Sequence, residues 1–341
     1  MRKVNILPLV LCSVGMLVLI FDGKTALEGI RVGIELCLNT LIPSLFPFFV
    51  LSALITGSLT GISLGPLRLI SRLCRMPAGS ESLLLVGILG GYPVGAGNIG
   101  AAYRAGKLSL ADAQRLAVIC NNAGPSFLFG VLGAFFPHVG LLWLLWGIQI
   151  AATVITGILL PGSNTGKITL TDAPRVGITD ALSRSIKNMA LVCGWVMLFR
   201  MILEFLVKWV LWSLPQPLQI ALTGLLELSN GCLGLSGIGS TGLRFLLAGS
   251  FLSLGGVCVW MQTKAVFPDL DLPAYIRGRL LHSLCVVWLS IPIITLLNRC
   301  DIKTVLASFL LTGSAGIFLI PVLRKPKKAV AFYSSMMYNG I

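Results

Sequence analysis

Runs of apolar residues long enough to cross a lipid bilayer recur along the whole of this chain, separated by short charged breaks. About 20 apolar residues span a hydrocarbon core of roughly 30 Å as an α-helix. Ten apolar segments can be read in order, over 4–20, 32–55, 82–102, 116–136, 139–160, 189–214, 218–238, 245–261, 280–297 and 305–323. With 56% hydrophobic and 11% charged residues and a mean hydropathy of +0.92, the chain holds more apolar side chain than one aqueous core can bury. The expectation is an all-α polytopic membrane protein with the lipid bilayer as part of its solvent.

Two of the ten segments are poor spanning helices. Gly90, Gly91, Pro93, Gly95 and Gly97 break 82–102, and Ser229, Asn230, Gly231 and Gly234 break 218–238. Each reads as a re-entrant helical hairpin, because half of such a segment, about 9 residues at 1.5 Å each, reaches the bilayer midplane before the break turns it back. Unwound backbone at that depth must line a cavity or be buried in protein. Eight transmembrane helices remain, and the positive-inside rule then places both termini in the cytoplasm. On that topology 19 of the 26 Lys and Arg face inside, among them Arg68, Arg72, Arg75, Arg104, Lys107, Arg115 and Arg279.

Three stretches of the first half return in order in the second. NTLIPSLFPFFVLS from Asn39 is matched by NMALVCGWVMLFRM from Asn188, the hairpin around Gly91 by that around Gly231, and AGPSFLFGVLG from Ala123 by AGSFLSLGGVC from Ala248. The matched helices run in opposite senses on the topology above, so the repeats are inverted, an arrangement of secondary transporters. The chain divides into an N-terminal helix and loop (1–31), a first repeat (32–137) and a connecting helix with a cytoplasmic loop (138–188). A second, inverted repeat (189–264) and a two-helix segment with a cytoplasmic tail (265–341) complete it.

The net charge of +14 sits in the breaks between apolar segments, and no nucleic-acid motif accompanies it, so no nucleic-acid partner is expected. Nine cysteines form no C-x-x-C pair and read as small buried hydrophobes. His138 and His282 form no pair, and no HExxH, nucleophile motif or complete phosphate loop is present, so neither enzymatic activity, metal nor cofactor is expected. Ser109 with Asp112 fits an N-terminal helix cap.

The strongest polar cluster is CNNAGPS, Cys120 to Ser126, inside an apolar run. Adjacent amides there need partners, and Gly124 with Pro125 frees backbone groups that can meet a solute or cap a broken helix. Glu227 lies on the apolar flank of the second hairpin, where a carboxylate costs about 2.5 to 3.5 kcal/mol. A bound cation, a proton, a basic neighbour or hairpin backbone can offset that cost. Arg200, Glu204 and Lys208 recur every fourth residue and can pair along one helix face. The residues expected to line a solute path are Tyr92, Asn121, Asn122 and Ser126 in one half, and Glu227, Asn230, Ser250 and Ser253 in the other. A coupling ion, Na+ or H+, is left open.

PSLFPFF from Pro43, GGYPVGA from Gly90, AGKLSLADAQRLAVICNNAGPSFLFGVLG from Ala105 and SFLSLGGVCVWMQ from Ser250 together resemble the YlbJ-like sporulation integral membrane proteins of the Gate (nucleoside-recognition) superfamily. That superfamily is similar in organisation to concentrative nucleoside transporters with paired hairpins. The resemblance implies a bacterial endospore former, a place in the outer forespore membrane, and movement of dipicolinate, a small aromatic dicarboxylate. Free N–H groups at broken-helix starts suit an anion. A nucleoside transporter and a non-transporting scaffold of the spore envelope stay open, as do a homo-oligomer and other spore membrane proteins as partners.

Overall fold

The computed structural model describes residues 6–58, 65–162 and 177–298, and all regular structure within them is helical. The expected apolar segment 305–323 and the tail lie outside the described residues. Helix α1 (Ile6–Phe21) is apolar and largely exposed, as a lipid-facing helix must be. Asp22 then caps α2 (Gly23–Leu36), which runs on into α3 (Ile42–Ser58) through a π turn at Cys37–Leu41. Pro43 has no N–H for the carbonyl four residues back, and the Ile42 N–H bonds instead to the Cys37 carbonyl.

The amphipathic α4 (Gly65–Leu73) follows, then α5 (Glu81–Gly90) and α6 (Val94–Arg104), which pack on each other across a turn at Gly91, Tyr92 and Pro93. Gly91 has φ +69, a conformation that disfavours any side chain. Helix α7 (Leu110–Ile119) is capped by Ser109, whose hydroxyl accepts from the Asp112 N–H at 3.1 Å as expected. It stops at Cys120, and Pro125 restarts the chain as α8 (Pro125–Gly130), so the apolar run 116–136 is not one helix. Helix α9 (Val139–Leu159) runs unbroken.

The same order then returns. The long α10 (Ile178–Trp209) precedes a pair, α11 (Gln216–Leu226) and α12 (Leu228–Gly234), broken at Glu227. Next come α13 (Thr241–Leu254) and α14 (Gly256–Val266), broken at Gly255 with φ +77, and the long α15 (Leu272–Leu297). Each half is a long helix, a hairpin, a broken helix and a second long helix. Aligning break with break sets Gly124 opposite Gly255, six residues beyond the register of the Ala123 and Ala248 match.

Five helical stretches among the described residues are long and apolar enough to cross a membrane: Gly23–Ile55, Val139–Leu159, Ile178–Trp209, Thr241–Val266 and Leu272–Leu297. Together with the exposed apolar side chains of α1, α2 and α10, they make the chain a membrane protein. The two halves meet where α10 packs along α2 and α3. Gly29 and Gly33, one turn apart, allow that approach: a Cβ on them would lie 2.7 Å from the Met201 Cα and 3.0 Å from the Met197 Cα. Small residues at this spacing let helix backbones close in lipid, where no hydrophobic force drives association.

At the end of this interface Lys208 reaches Asp22 at 2.5 Å and Thr25 at 2.9 Å, while Arg200 pairs with Glu204 at 2.6 Å. The expected ladder along one face is therefore half made, since Lys208 turns to the cap of α2. The Lys208 ammonium holds the Asp22 carboxyl below its ordinary range. A depressed carboxyl stabilises the fold above its unfolded value, so this link persists at neutral pH and is lost only as pH falls through the lowered one.

Gly29→Val is expected to destabilise the protein by about 1–3 kcal/mol through overpacking against α10. Thermal unfolding of the purified chain in detergent checks this, with Gly15→Val, which meets nothing within 4 Å, as the neutral control.

Candidate functional site

The hairpin turns and both broken helices converge on one crevice. Gly90, Gly91 and Tyr92 reach it from the first hairpin, Gly124, Ser126 and Phe127 from the start of α8, and Glu227, Leu228 and Ser229 from the second hairpin. Val259 and Gln262 of α14 complete the polar side, and Leu41, Leu45, Val192 and Val196 close the other. The crevice is narrow, with room for a water-sized group rather than an aromatic dicarboxylate.

Glu227 is 1% exposed and caps α12. Its carboxylate accepts from the Ser229 N–H at 3.0 Å, the Asn230 N–H at 2.7 Å and the Asn230 Nδ2 at 2.6 Å. Of the ways to offset a buried acid, the chain uses hairpin backbone and one amide. The Tyr92 hydroxyl is buried beside the crevice with no hydrogen-bond partner among the described residues. A buried hydroxyl without a partner costs about 1–3 kcal/mol, so a solute able to bond it gains that group at little further cost.

Asn121 and Asn122 lie behind the crevice and do not line it. Asn121 Oδ1 accepts from the Ala96 N–H at 3.2 Å, in the first turn of α6, while its Nδ2 donates to Thr263 Oγ1 at 3.1 Å and the Tyr275 hydroxyl at 3.0 Å. One amide thereby joins α6, α14 and α15. Asn122 donates to the Ile119 carbonyl at 2.7 Å and accepts from Arg279 Nη1 at 2.9 Å. Ser250 and Ser253 donate to carbonyls of their own helix, at Leu246 and Ser250, and neither reaches the crevice. The structure thus brings Tyr92, Ser126, Glu227 and, through Glu227, Asn230 together.

Arg279 is the group that sequence reasoning missed. It is 1% exposed, two turns inside α15, and its Nη1 also donates to the Asn121 carbonyl at 3.2 Å and the Val118 carbonyl at 3.4 Å. Its Nη2 donates to the carbonyls of Leu252 and Ser253. The guanidinium therefore binds the ends of α7 and α13, one from each half, where helical carbonyls lose their partners. The topology reading had counted Arg279 and Arg115 as cytoplasmic loop charges. Arg115 is likewise buried, donating to the carbonyls of Cys74, Arg75 and Gly157. The available signal was the start of α15: Asp271 as cap and Pro273 in the first turn place Arg279 well within the helix. Ser229, Gln262, Thr263 and Tyr275 were missed for want of any pattern around them.

Fold and site define an all-helical membrane protein with two similarly ordered halves whose chain breaks meet in its interior. Over 144 residues the chain is 29% identical to "Sporulation integral membrane protein YlbJ" of Bacillus subtilis (strain 168), a match covering 41% of this chain and 34% of that protein. The chain thus matches about a third of the length of this curated relative. No family model matches it, and no solved structure does.

Arg279→Met is expected to strip five oxygen acceptors of their donor and to destabilise the chain by at least about 3 kcal/mol. Asn122→Leu removes both the charge-assisted bond from Arg279 and the bond to the Ile119 carbonyl and should cost at least about 1.5–3 kcal/mol, whereas Asn122→Asp, which keeps an acceptor for the guanidinium and loses only the donor to Ile119, should melt between Asn122→Leu and the parent. Thermal melts in detergent distinguish the three.

Proposed function

We propose that the protein carries a small polar solute across the membrane through the crevice where the chain breaks meet. The convergence of both hairpin turns and both broken helices on one polar spot, with a carboxylate and an unpartnered hydroxyl, carries this proposal. Broken helices leave backbone groups unsatisfied in lipid and persist where they line a path. The repeated element order supports two inverted halves, with α5 with α6 and α11 with α12 as hairpins re-entering from opposite faces among eight spans. Rocking of such halves widens the crevice to admit a solute on one side at a time.

Likeness to the sporulation protein supports a role in a membrane of the sporulating cell, and the family resemblance of the sequence motifs implies dipicolinate as the solute. A dianion meets Glu227, so on this proposal it enters when that carboxyl carries a proton. A nucleoside is the second candidate, and Glu227 is the observation that favours it, since an ionised carboxylate accepts hydrogen bonds from sugar hydroxyls while repelling a dianion. The helices starting at the crevice, α8 and α12, are short, and Glu227 already occupies the free N–H groups of α12.

Uptake of dipicolinate and of nucleosides by the full chain in proteoliposomes, with and without sodium or proton gradients, tests the proposal. No uptake of either solute under any gradient refutes it. Tyr92→Phe removes a buried hydroxyl that has no partner among the described residues, so melting should stay level or rise while uptake falls about 3- to 10-fold. Dipicolinate uptake should rise as pH falls, and Glu227→Gln should erase that dependence; nucleoside uptake should instead drop in the same variant. For the inverted arrangement, Lys107→Cys should react with an impermeant reagent from the cytoplasmic side alone.

A further inference from the structure

Helix α4 has no counterpart between α10 and α11, where only a short turn at Leu211–Ser213 intervenes, and it contributes nothing to the crevice. Its side chains sort onto three faces. Leu67, Ile70, Ser71 and Cys74 turn toward the protein, with Ser71 and Cys74 buried. Leu69 and Leu73, one turn apart, are 62% and 49% exposed. Arg68 and Arg72, also one turn apart, are exposed, and Arg75 follows just past the end of the helix, exposed as well. No acidic residue occurs between positions 65 and 80, and none of the three arginines joins an ion pair among the described residues.

The depth of this helix is set by Arg115. Its buried guanidinium donates to the carbonyls of Cys74 and Arg75 at the end of α4 and, at 2.8 Å, to that of Gly157. Gly157 lies two residues before α9 ends at Leu159. A helix of that length extends about 30 Å, the thickness of the hydrocarbon layer, so its end marks the boundary with the headgroups. The C-terminal end of α4 is pinned at that boundary. A short helix there, with leucines on one exposed face and arginines on the next, places the leucines among acyl chains and the guanidinium groups level with phosphate. Guanidinium forks make two-point hydrogen bonds to phosphate oxygens, which ammonium groups do not.

We infer that α4 is a binding site for anionic phospholipid, in which Arg68, Arg72 and Arg75 hold the phosphate of a charged headgroup and Leu69 and Leu73 pack against its acyl chains. The inference rests on the membrane location of the chain and is independent of what the crevice carries. A basic residue at a charged bilayer surface contributes roughly fivefold in affinity, so three together give a strong preference over zwitterionic lipid.

The test reconstitutes the full chain in phosphatidylcholine bilayers doped with spin-labelled phosphatidylglycerol or spin-labelled phosphatidylcholine, and reads the fraction of each label immobilised by the protein. The parent should immobilise the anionic label several-fold more. Arg68→Gln, Arg72→Gln and Arg75→Gln combined should bring the two labels level, and Lys24→Gln with Arg31→Gln, which changes charge elsewhere, should leave the excess in place. Equal preference in the parent, an excess that survives the triple change, or an equal loss in the control overturns the inference. Inorganic phosphate added at constant ionic strength should not displace the label; if it does, the site takes free phosphate and the lipid assignment fails.

Discussion

A single buried guanidinium holds the two halves in register. Removing an arginine side chain from water costs several kcal/mol, and a carboxylate is the usual compensation. Arg279 has neutral partners only: one amide oxygen and four backbone carbonyls at the ends of α7 and α13. Those carbonyls carry the partial negative charge of a helix C-terminus and would otherwise stand unpaired in a low-dielectric interior. The buried cation and the broken helices therefore answer each other's need. Neither is tolerable alone, so the breaks can persist deep in the protein only while α15 delivers Arg279 between them.

Close backbone contact supplies the rest of the assembly. The Cys120 carbonyl stands 2.0 Å from where a Cβ on Gly87 or on Gly95 would sit, so both arms of the first hairpin clasp the break after α7. In the second half a Cβ on Gly231 would lie 2.1 Å from the Gly224 Cα, which brings α11 and α12 together, and Gly256 rests on the carbonyls of Gly224 and Leu225. In both halves a hairpin sits on the gap in the broken helix beside it through glycines, and in the first half the Asn121 side chain adds its bond from the Ala96 N–H.

The legibility of these features in the sequence followed local chemistry. The first hairpin turn was plain because Gly91 and Pro93 cannot continue a helix, and the gap after α7 because Gly124 and Pro125 follow two amides. The gap at Gly255 was hidden, because SLGGVC offers two glycines within an apolar run that reads as one span until the backbone turns through positive φ. The true start of α10 was hidden for the opposite reason: TDALSRSIKN is polar enough to resemble a loop, yet Asp180 suits a helix's first turn and no glycine or proline interrupts the stretch. Glu227 was legible as a costly acid, but whether backbone or a basic neighbour would meet it depended on a cap geometry that spacing does not fix. Arg279 was misread because a basic residue near the end of an apolar segment is ordinarily a topology signal.

The walls of the crevice differ in how firmly they are held, and that difference bears on how it opens. Asn121 ties the start of the first hairpin's second arm to α14 and α15, while Arg279 ties α7 and α13 to α15, so these parts of the polar wall form one hydrogen-bonded body, against which the second hairpin packs at Gly256. The facing wall, from α3 with its π turn and from α10, offers the crevice only Leu41, Leu45, Val192 and Val196. Separating these four aliphatic side chains from the polar wall breaks no side-chain hydrogen bond of theirs. Widening at that wall is thus the least costly displacement, and the Gly29 and Gly33 contact with α10 beyond it is a fulcrum that such a motion can keep.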